Sequence, residues 1–508
     1  MHLSETAAAM EDGMYRSLQE KGFVGVPVLI LSGLPMLFLL LFFFRRHYHS
    51  GSRLNLPPRP FRSLPLLREI LHLPKIMRSG FGNTFGPIFT VYLGRTPIIF
   101  VTSASLTHAS LVEESRLFAD RPLFPSRKLF TSNFRNINSS PYGPFWRLIR
   151  RNLVENVFAV PNILAFRPAR LHAIARIISN IRTVAKQNQG AVSVYPTIRL
   201  GVFEILLFMC FGYRMQEEEI LEMSELLLSV GKLAEEQILD IVPLLKIFRP
   251  GKDKADGTLR ARQVQVFTSR FQKYKELREL GQVTRGSYLE SLQRMDLTTS
   301  EIVTLCSEFM LAGTDTTVTT LEWAMAHLVR NPSIQSKLYR HIRDVVGDRP
   351  VEEADLQHLP YLRAIIQETL RLNPPGHTLL PHAVSEPAKL GGYDIPCNAI
   401  VMFDILTMSR DPAIWKEPLM FNPERFMQLE VDMTGSKGVT MIPFGAGRRI
   451  CPGLELATMH MEMLIAHLVQ TFEWSNWPAG KEVNLAVKQH FTVRMKYNLK
   501  ASVKERAG

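Results

Sequence analysis

The spacing of apolar and polar residues predicts a mostly helical domain that carries small β-sheets at its edge. Residues 88–102 hold two β-rich runs on either side of residues 94–97, which predicts a hairpin. Helical spacing dominates most of the chain that follows, and short β signals return at Leu390–Ile395 and Phe491–Lys496. Since no internal repeat or low-complexity linker follows about residue 65, we predict one large α+β domain over residues 66–508.

An uncharged, largely apolar run at residues 22–44 precedes this domain. As a helix it would be about 34 Å long, which spans the ~30 Å hydrocarbon core of a bilayer. Pro27 and Pro35 are tolerated inside a membrane helix. A cleavable signal peptide is the alternative, but its apolar region holds only about 7–15 residues. We therefore predict a transmembrane anchor at 22–44 behind a lumenal segment at 1–21.

The charges that flank the anchor predict its orientation. Only Arg16 and Lys21 are basic before the run, whereas arginines at 45, 46, 53, 59, 62 and 68 follow it. The positive-inside rule then places the bulk of the chain in the cytosol. Three prolines within residues 57–60 predict a stiff, extended connector. Residues 45–65 are accordingly predicted to be a basic, proline-rich hinge.

The composition restricts the partners. The net charge is +13, from 60 Lys+Arg against 47 Asp+Glu, and it favours a membrane surface, an acidic protein or nucleic acid. No zinc-finger spacing or aromatic RNA-binding motif occurs, so a nucleic-acid partner is not expected. Four cysteines in 508 residues are too few for a disulfide framework and indicate a reducing compartment.

One of these cysteines, Cys451, lies in the glycine-rich loop Phe444–Gly453, whose sequence is FGAGRRICPG. Its three glycines permit backbone angles and close approaches that a Cβ would block. A thiolate held there by backbone N–H groups and nearby arginines is a suitable axial ligand for haem iron. An inert buried cysteine is the alternative for a lone thiol. The complete pattern F-x-x-G-x-R-x-C-x-G favours the ligand.

A long apolar helix is predicted over residues 302–328, with an interruption at the sequence AGTDTT that begins with Ala312 and Gly313. A threonine hydroxyl can bond to a carbonyl one turn back and open the helix locally. Asp315 and Thr316 form an acid–alcohol pair, which could relay protons during oxygen activation. The alternative is a kink with a purely structural role.

Two further pairs occur at helical spacing. Trp146 and Arg150 are four residues apart on one face, where an indole N–H and a guanidinium can hold a carboxylate. A core tryptophan beside a surface arginine is the simpler interpretation of that pair alone. Glu368 and Arg371 are three residues apart, and taken alone they would be an exposed pair worth a few tenths of a kcal/mol.

Residues 201–215 are strongly apolar, and residues 238–250 mix apolar side chains with Asp240, Lys246 and Arg249. A core helix followed by a loop is the simple interpretation. The alternative is a second membrane contact beside a substrate entrance, with the cations facing lipid phosphates.

The motifs follow one another along the chain as Trp146, the Asp315–Thr316 pair, Glu368 with Arg371, Arg425 within FNPERF, and Cys451. Together they resemble the signature of the cytochrome P-450 superfamily, the haem-thiolate monooxygenases, over roughly residues 55–500. The forms FNPERF and FGAGRRICPG look like the large plant A-type microsomal group. The resemblance implies the cytochrome P-450 fold, with a single large haem domain behind the transmembrane helix.

The resemblance also implies roles for individual residues. It makes Cys451 the metal-binding residue, as axial ligand of the iron of haem b, and it makes Asp315 and Thr316 catalytic. The residues implied to bind the cofactor are Trp146, Arg150, Ala312, Gly313, His382, Phe444, Arg449, Cys451 and Gly453. The residues implied to form a buried salt-bridge network are Glu368, Arg371 and Arg425. The segments implied to line the substrate pocket are 123–140, 376–380 and 491–493.

The implied activity is NADPH- and dioxygen-dependent hydroxylation or epoxidation of a small apolar substrate. The chain contains neither a G-x-G-x-x-G loop nor a P-loop, so electrons would come from a separate NADPH–cytochrome P-450 reductase. Docking of that reductase is expected at cations such as Arg147, Arg151 and Arg448. The implied location is the endoplasmic reticulum membrane, in contact with lipid, as a single-pass protein with its catalytic domain in the cytosol.

Two alternatives stay open at this point. One is a haem-thiolate isomerase or dehydratase that uses a peroxide substrate and no reductase, against which the intact Asp315–Thr316 pair argues. The other is a membrane-tethered haem protein that binds or senses without turnover. Fatty acids, terpenoids, phenolics and pigment catabolites would all fit an apolar pocket.

Overall fold

The residues that the structure, a computed structural model, describes are 54–59, 85–93, 96–232, 251–489 and 492–506. The predicted anchor at 22–44 and most of the predicted hinge at 45–65 lie outside these ranges, as do residues 238–250. The chain divides into two units at Leu56, and every helix and strand below belongs to the second.

The helices of the described part are, in chain order, α1 (Ala104–His108), α2 (Pro144–Asn156), α3 (Val160–Ala165), α4 (Arg167–Gln187), α5 (Val194–Phe211), α6 (Glu217–Lys232), α7 (Lys252–Glu279), α8 (Tyr288–Leu292), α9 (Thr299–Arg330), α10 (Pro332–Val346), α11 (Pro360–Leu372), α12 (Ile405–Ser409), α13 (Glu424–Gln428) and α14 (Leu454–Thr471). The strands are β1 (Ile88–Leu93), β2 (Thr96–Val101), β3 (Ala191–Ser193), β4 (Ala388–Leu390), β5 (Tyr393–Ile395), β6 (Ile400–Phe403), β7 (Phe472–Asn476), β8 (Val487–Gln489), β9 (Val493–Met495) and β10 (Lys500–Glu505).

The strands form four small sheets, as the sequence predicts. β1 and β2 pair antiparallel in the predicted hairpin, and β6 adds to β2 in parallel. β10 pairs antiparallel with both β3 and β7. The β signals later in the chain correspond to the antiparallel pairs β4–β5 and β8–β9. The mostly helical fold with small sheets is therefore confirmed.

The described end of the predicted hinge is attached to the first sheet. The backbone N–H of Thr90 donates to the carbonyl oxygen of Pro58 at 2.9 Å, and the Thr90 hydroxyl donates to that of Pro57 at 3.0 Å. The guanidinium of Arg59 lies 4.2 Å from the centre of the Tyr92 ring. Because prolines have no N–H of their own, the strand supplies the donors that hold this segment.

Helix α9 is the central element of the helical part. Thr298 caps its first turn, and Glu301 reciprocates by accepting from the backbone N–H of Thr298. Its second half, from Thr317 to Val329, is buried on all sides. A helix that is buried on every face must be covered by several neighbours, and α5, α11 and α14 all pack against it.

Helix α5 explains the apolar stretch at residues 201–215. It is the helix of the described residues that is long and apolar enough to cross a membrane, but 72% of it is buried inside the protein. It packs against α9 and α4, and Gly201 lets α4 approach, since a Cβ there would lie 2.4 Å from the Ile177 side chain. These contacts support the core-helix interpretation over a membrane contact for this stretch.

The carboxylate of Glu368, on α11, is the centre of a charge network in which Glu368 and Arg371 are fully buried and Arg425 is partly buried. It accepts two hydrogen bonds from Arg371, at 2.6 and 2.9 Å, and one from Arg425, at 3.1 Å. The backbone N–H of Asn422 donates to it at 2.8 Å. Arg371 also donates to three backbone carbonyls, at Ser409, Pro418 and Met420. One helix is thereby tied to the loops around residues 409–425.

We expect Glu368→Gln to lower the free energy of unfolding by about 3–5 kcal/mol, because it leaves two buried guanidinium groups without a counter-charge. Chemical denaturation monitored by circular dichroism measures this change. The control is Arg182→Gln, which removes the exposed pair with Glu505 and should cost about 1 kcal/mol or less. Equal stability losses in the two variants would contradict the prediction.

Candidate active site

The loop that carries Cys451 is shaped by glycines with positive φ. Gly445 has φ +75° and Gly447 has φ +64°, and a Cβ at Gly447 would lie 1.6 Å from the carbonyl oxygen of Leu111. The N–H of Cys451 donates to the carbonyl oxygen of Phe444 at 2.8 Å and closes the loop. The loop thus delivers the sulfur to a fixed position immediately before the start of α14.

Burial raises the pKa of the Cys451 thiol above its ordinary value, while the N–H of Gly453 and the positive charge of Arg150 oppose that rise. The first turn of α14 also directs the positive end of its dipole towards this position. These groups favour the thiolate but do not outweigh burial. A metal cation at the sulfur would supply the missing stabilisation.

The sulfur lies at the wall of a cavity of about 320 Å³, called the inner cavity below. Its lining comes mainly from the cysteine loop, α9, α2, α14 and residues 375–382, with single residues from other parts of the chain. The candidate residues at its wall are Trp146, Arg150, Ala312, Gly313, Thr316, His382, Phe444, Arg449, Cys451 and Gly453. The structure therefore brings together residues that are up to 307 positions apart in the sequence, from Trp146 to Gly453.

Three arginines of this wall donate to backbone carbonyls. Arg449 donates to Ala119, Ile137 and Ser140, Arg150 to Ile450, and Arg121 to Leu380 and Pro381. Within the described ranges none of the three forms an ion pair with a carboxylate. They are called the arginine cluster below.

The surroundings of the arginine cluster disfavour the positive charge of its guanidinium groups. Burial and then the charge of Arg449 lower the pKa of Arg121 to about 9. Burial lowers the pKa of Arg449 to about 10, and that of Arg150 also falls. An anionic ligand in the cavity would stabilise these half-buried cations.

Trp146 and His382 lie beside the arginine cluster and are held by backbone carbonyls. The indole N–H of Trp146 donates to Ile137 at 2.9 Å, and the guanidinium of Arg449 lies 4.3 Å from the centre of its ring. Nδ1 of His382 bonds to the carbonyl oxygen of Phe118 at 2.7 Å. Burial, followed by the charge of Arg121, holds the pKa of His382 well below its ordinary value, so this ring is neutral.

Helix α9 forms the opposite wall, and it runs without a break from Thr299 to Arg330. The predicted interruption is therefore wrong at the level of secondary structure. The hydroxyls of Thr314 and Thr316 do donate to backbone carbonyls one turn back, at 2.7 and 2.6 Å. The helix stays continuous with these bonds in place. The glycine is accommodated by packing, since a Cβ at Gly313 would lie 2.8 Å from the Leu206 side chain of α5.

Asp315 and Thr316 do not face the same space. Thr316 lines the inner cavity, whereas Asp315 lines a second cavity of about 390 Å³, called the outer cavity below. Oδ1 of Asp315 accepts from Nε of Arg199 at 3.1 Å and from the hydroxyl of Tyr195 at 3.2 Å. Burial and the charge of Asp315 raise the pKa of Tyr195, so this hydroxyl keeps its proton. The acid is thus held by two side chains of α5.

The residues present fit a planar, anionic group that carries iron. A cysteine sulfur supported by an N–H lies at one wall, an apolar helix with a hydroxyl forms another, and the arginine cluster provides positive charge in need of a partner. Haem combines an iron that accepts a thiolate with carboxylate groups at its edge. The site therefore defines a haem-thiolate protein on a mostly helical fold.

The comparisons with known proteins identify the family. A family model described as Cytochrome P450 matches residues 58–500. The chain is 37% identical to cytochrome P450 89A9 of Arabidopsis thaliana, over 94% of this chain and 98% of that relative. It is 32% identical to flavonoid 3'-monooxygenase of Arabidopsis thaliana, over 88% and 90%. It is 31% identical to geraniol 8-hydroxylase of Swertia mussotii, over 92% and 97%.

The fold is shared with solved structures as well. A zebra fish cytochrome P450 with progesterone superimposes with a TM-score of 0.71 at 24% identity, covering 86% of this chain and 99% of that one. The chain belongs to the cytochrome P450 family, and it is a haem-thiolate monooxygenase of the plant group.

Sequence reasoning did not find several residues that line the two cavities or hold Asp315. Arg121, Tyr195, Arg199 and Glu308 belong to no spaced motif, and each meets its partners through the tertiary fold. The one signal in the sequence is an acidic residue one helical turn before Ala312, which is Glu308. A charged side chain on an otherwise apolar helix face is expected to have a buried partner.

We expect Arg150→Gln to raise the pKa of the Cys451 thiol further in the haem-free protein, because it removes a positive charge that favours the thiolate. The ultraviolet absorbance of the thiolate across a pH series, with Cys451→Ser subtracted, measures this value. Arg147→Gln, an exposed change on the same helix, is the control. A thiol that titrates identically in Arg150→Gln and in the unsubstituted protein would contradict the expectation.

Proposed function

We propose that this protein is a membrane-anchored monooxygenase in which Cys451 ligates the iron of haem b and a small, largely apolar substrate is hydroxylated or epoxidised beside α9. The observation that carries the proposal is the position of Cys451 at the wall of the inner cavity, with Thr316 also lining that cavity. When bound, haem supplies the reductive activation of dioxygen, and a thiolate ligand favours cleavage of the O–O bond.

The arginine cluster, Trp146 and His382 would hold the haem by its propionates. Charge-assisted hydrogen bonds from guanidinium groups are roughly twice as strong as neutral ones, and among the described residues no carboxylate forms an ion pair with these three arginines. Trp146 can donate a single indole N–H, and its ring supports Arg449. Ala312 and Gly313 leave room at the helix wall because their side chains are small.

Asp315 and Thr316 would deliver protons during the activation of dioxygen. The Thr316 hydroxyl donates to Ala312 within α9, so its oxygen is free to accept a hydrogen bond, and the hydroxyl would turn away from Ala312 to donate its own proton into the inner cavity. Asp315 is held by Arg199 and Tyr195 on the outer-cavity side. A relay from solvent would therefore run from the outer cavity through Asp315 to Thr316.

A small, mostly apolar substrate is supported by the relatives. Their printed names include a flavonoid 3'-monooxygenase, an isoflavone 2'-hydroxylase and a geraniol 8-hydroxylase, whose named substrates are phenolic or terpenoid. Residues 376–380 contribute Leu379 and Leu380 to the inner cavity, and Thr492 lies at the same wall. The isomerase and the non-catalytic alternatives lose support, because these relatives are named as hydroxylases and monooxygenases.

Electrons would come from NADPH through a separate membrane-bound reductase. Arg147, Arg151 and Arg448 are exposed near the cysteine loop, and Arg147 and Arg448 both lie against the ring of Tyr142. Leu148, between two of these arginines, is 54% exposed. A cationic rim around an exposed apolar side chain suits an acidic partner. The anchor at 22–44 and the hinge at 45–65 would keep both proteins on the cytosolic face of the endoplasmic reticulum.

We expect Cys451→Ser to abolish both turnover and the red-shifted Soret band of the reduced protein with carbon monoxide, because oxygen would replace the sulfur ligand. Absorbance spectra of detergent-solubilised full-length protein, and product formation with NADPH and reductase, measure the two effects. Cys397→Ser, which changes an exposed cysteine, should leave both unchanged. Turnover that survives in Cys451→Ser, or product that forms without NADPH, would refute the proposal.

We expect the double change Arg147→Glu and Arg151→Glu to slow reduction of the iron by the reductase at least about tenfold at low ionic strength, since steering by opposite charges is lost. Stopped-flow absorbance measures the rate. The difference should shrink as salt is added, because salt screens exposed charges. Lys481→Glu with Lys488→Glu carries the same change in net charge at exposed positions and should have little effect. Equal rates for both double variants at low salt would exclude the surface.

A further inference from the structure

The inner and outer cavities share a wall. The residues that line both are Asn138, Glu308, Ala312, Leu380 and Thr492. Helix α9 supplies Glu308 and Ala312 to this wall, and the segment Asn136–Asn138 faces them from a turn between β2 and α2. We call this segment the partition below. It separates the space beside Cys451 from the space beside Asp315.

The carboxylate of Glu308 holds the partition on its helix side. Oε2 accepts from the backbone N–H of Ile137 at 2.8 Å, and Oε1 accepts from the backbone N–H of Asn138 at 2.8 Å. The side-chain amide of Asn136 donates to Oε1 at 2.9 Å. One carboxylate therefore satisfies three donors of three consecutive residues. Burial raises the pKa of Glu308 to about 7, while these donors, Arg127 and Arg449 favour its charged form.

The other side of the partition is held by the cofactor-facing residues. The carbonyl oxygen of Ile137 accepts from the indole N–H of Trp146 at 2.9 Å and from Arg449 at 3.1 Å. The peptide at Ile137 thus lies between Glu308 and the arginine cluster. A shift of this peptide away from α9 would move the acceptor that orients both donors.

The partition has no regular structure of its own. It follows a left-handed turn in which Ser132, Asn133 and Phe134 have φ values of 47°, 61° and 62°. Its internal bonds are local, between Asn136 and the residues Ser139 and Ser140. A segment without a helix or strand ladder keeps its place through the contacts that it makes with its surroundings. Glu308 supplies three of those contacts.

We propose that Glu308 is a positioning residue that fixes the partition and so sets the width of the passage between the two cavities, which decides how large a substrate reaches the iron. The inference rests on the proposed function, in which oxidation takes place in the inner cavity. In Glu308→Gln the amide can offer one acceptor oxygen, and its NH₂ faces N–H donors that it cannot satisfy. The partition should then open more often and admit bulkier ligands.

The first experiment measures how often the backbone N–H groups of the partition open to solvent. Hydrogen–deuterium exchange of the full-length haem protein should show the amides of Ile137 and Asn138 exchanging at least about tenfold faster in Glu308→Gln, because a bond to a charged acceptor is lost. Glu322→Gln is the matched control. Glu322 is on the same helix, its pKa is also raised to about 7 by burial, and it accepts a backbone N–H, from Leu499 at 2.9 Å. This control should leave exchange at the partition unchanged.

The second experiment measures how readily a small and a bulky ligand reach the iron through the passage between the two cavities. Association rates of imidazole and of an imidazole that carries three aryl groups are compared by absorbance in the reduced and oxidised proteins. The ratio of the small-ligand rate to the bulky-ligand rate should fall at least about threefold in Glu308→Gln and stay constant in Glu322→Gln. Glu308→Asp keeps the charge but is one methylene shorter, so an intermediate ratio is expected, and this variant replaces Glu308→Gln if the latter does not fold.

Either of two results overturns the proposal: unchanged exchange at Ile137 and Asn138 in Glu308→Gln, or an unchanged ratio of association rates despite faster exchange. The failure of the proposed function looks different. It would appear in the unsubstituted protein, as the absence of the red-shifted Soret band, whereas exchange at the partition is measured whether or not the iron is ligated by sulfur.

Discussion

Three half-buried arginines impose the constraint on which this site depends, because they lie beside one cavity without an ion-pair partner in the described part of the chain. Their guanidinium groups are oriented by backbone carbonyls, which accept hydrogen bonds but cancel no charge. Burial lowers the pKa values of all three, and repulsion by another arginine of the cluster adds to this at Arg121 and Arg449, so an anion in the cavity would stabilise the site. A dianionic cofactor would neutralise the positive charge of these arginines. The iron at its centre would stabilise the Cys451 thiolate, which burial disfavours. Binding of the cofactor therefore also stabilises the charged residues of the site.

The carbonyls that orient the arginine cluster come from loops rather than from helices or strands. Ile137 and Ser140 lie in the connection before α2, whereas Leu380 and Ile450 lie in two other connections. Their positions depend on elements that anchor the loops, such as the glycine turn at Gly447 and the buried network around Glu368. The stability of the scaffold therefore bears directly on the geometry of the cavity, even though Glu368 itself is not among the residues that line it.

Beyond its capping residue Glu301, helix α9 carries three carboxylates whose surroundings differ. Glu308 accepts from the partition, Asp315 is held by Arg199 and Tyr195, and Glu322 accepts from Leu499 near the C-terminus. All three tie the central helix to distant segments. Burial raises the pKa of Glu308 and Glu322, whereas the positive charge of Arg199 accompanies Asp315. A helix that is apolar by composition thus organises polar contacts on several of its faces.

Local patterns determined much of this protein. The hairpin at residues 88–102, helix α11 with Glu368 and Arg371, the glycine loop around Cys451 and helix α14 after it all follow from short-range spacing and turn chemistry. Such signals are local because backbone angles and side-chain periodicity involve neighbours within a few residues. The order of the motifs was enough to indicate the family and the candidate residues at the inner cavity.

Tertiary packing decided the rest. The AGTDTT sequence was expected to interrupt helix α9, but the helix is continuous. Helix α5 packs against Gly313, and the threonine hydroxyl bonds do not break the backbone hydrogen-bond pattern. Arg199 meets Asp315 across 116 residues, and Ile137 meets Glu308 across 171. No periodicity encodes such distances, because they are set by how the helices pack and where the loops between them run. The division into two cavities, with the acid facing one and the alcohol the other, exists only in the folded chain.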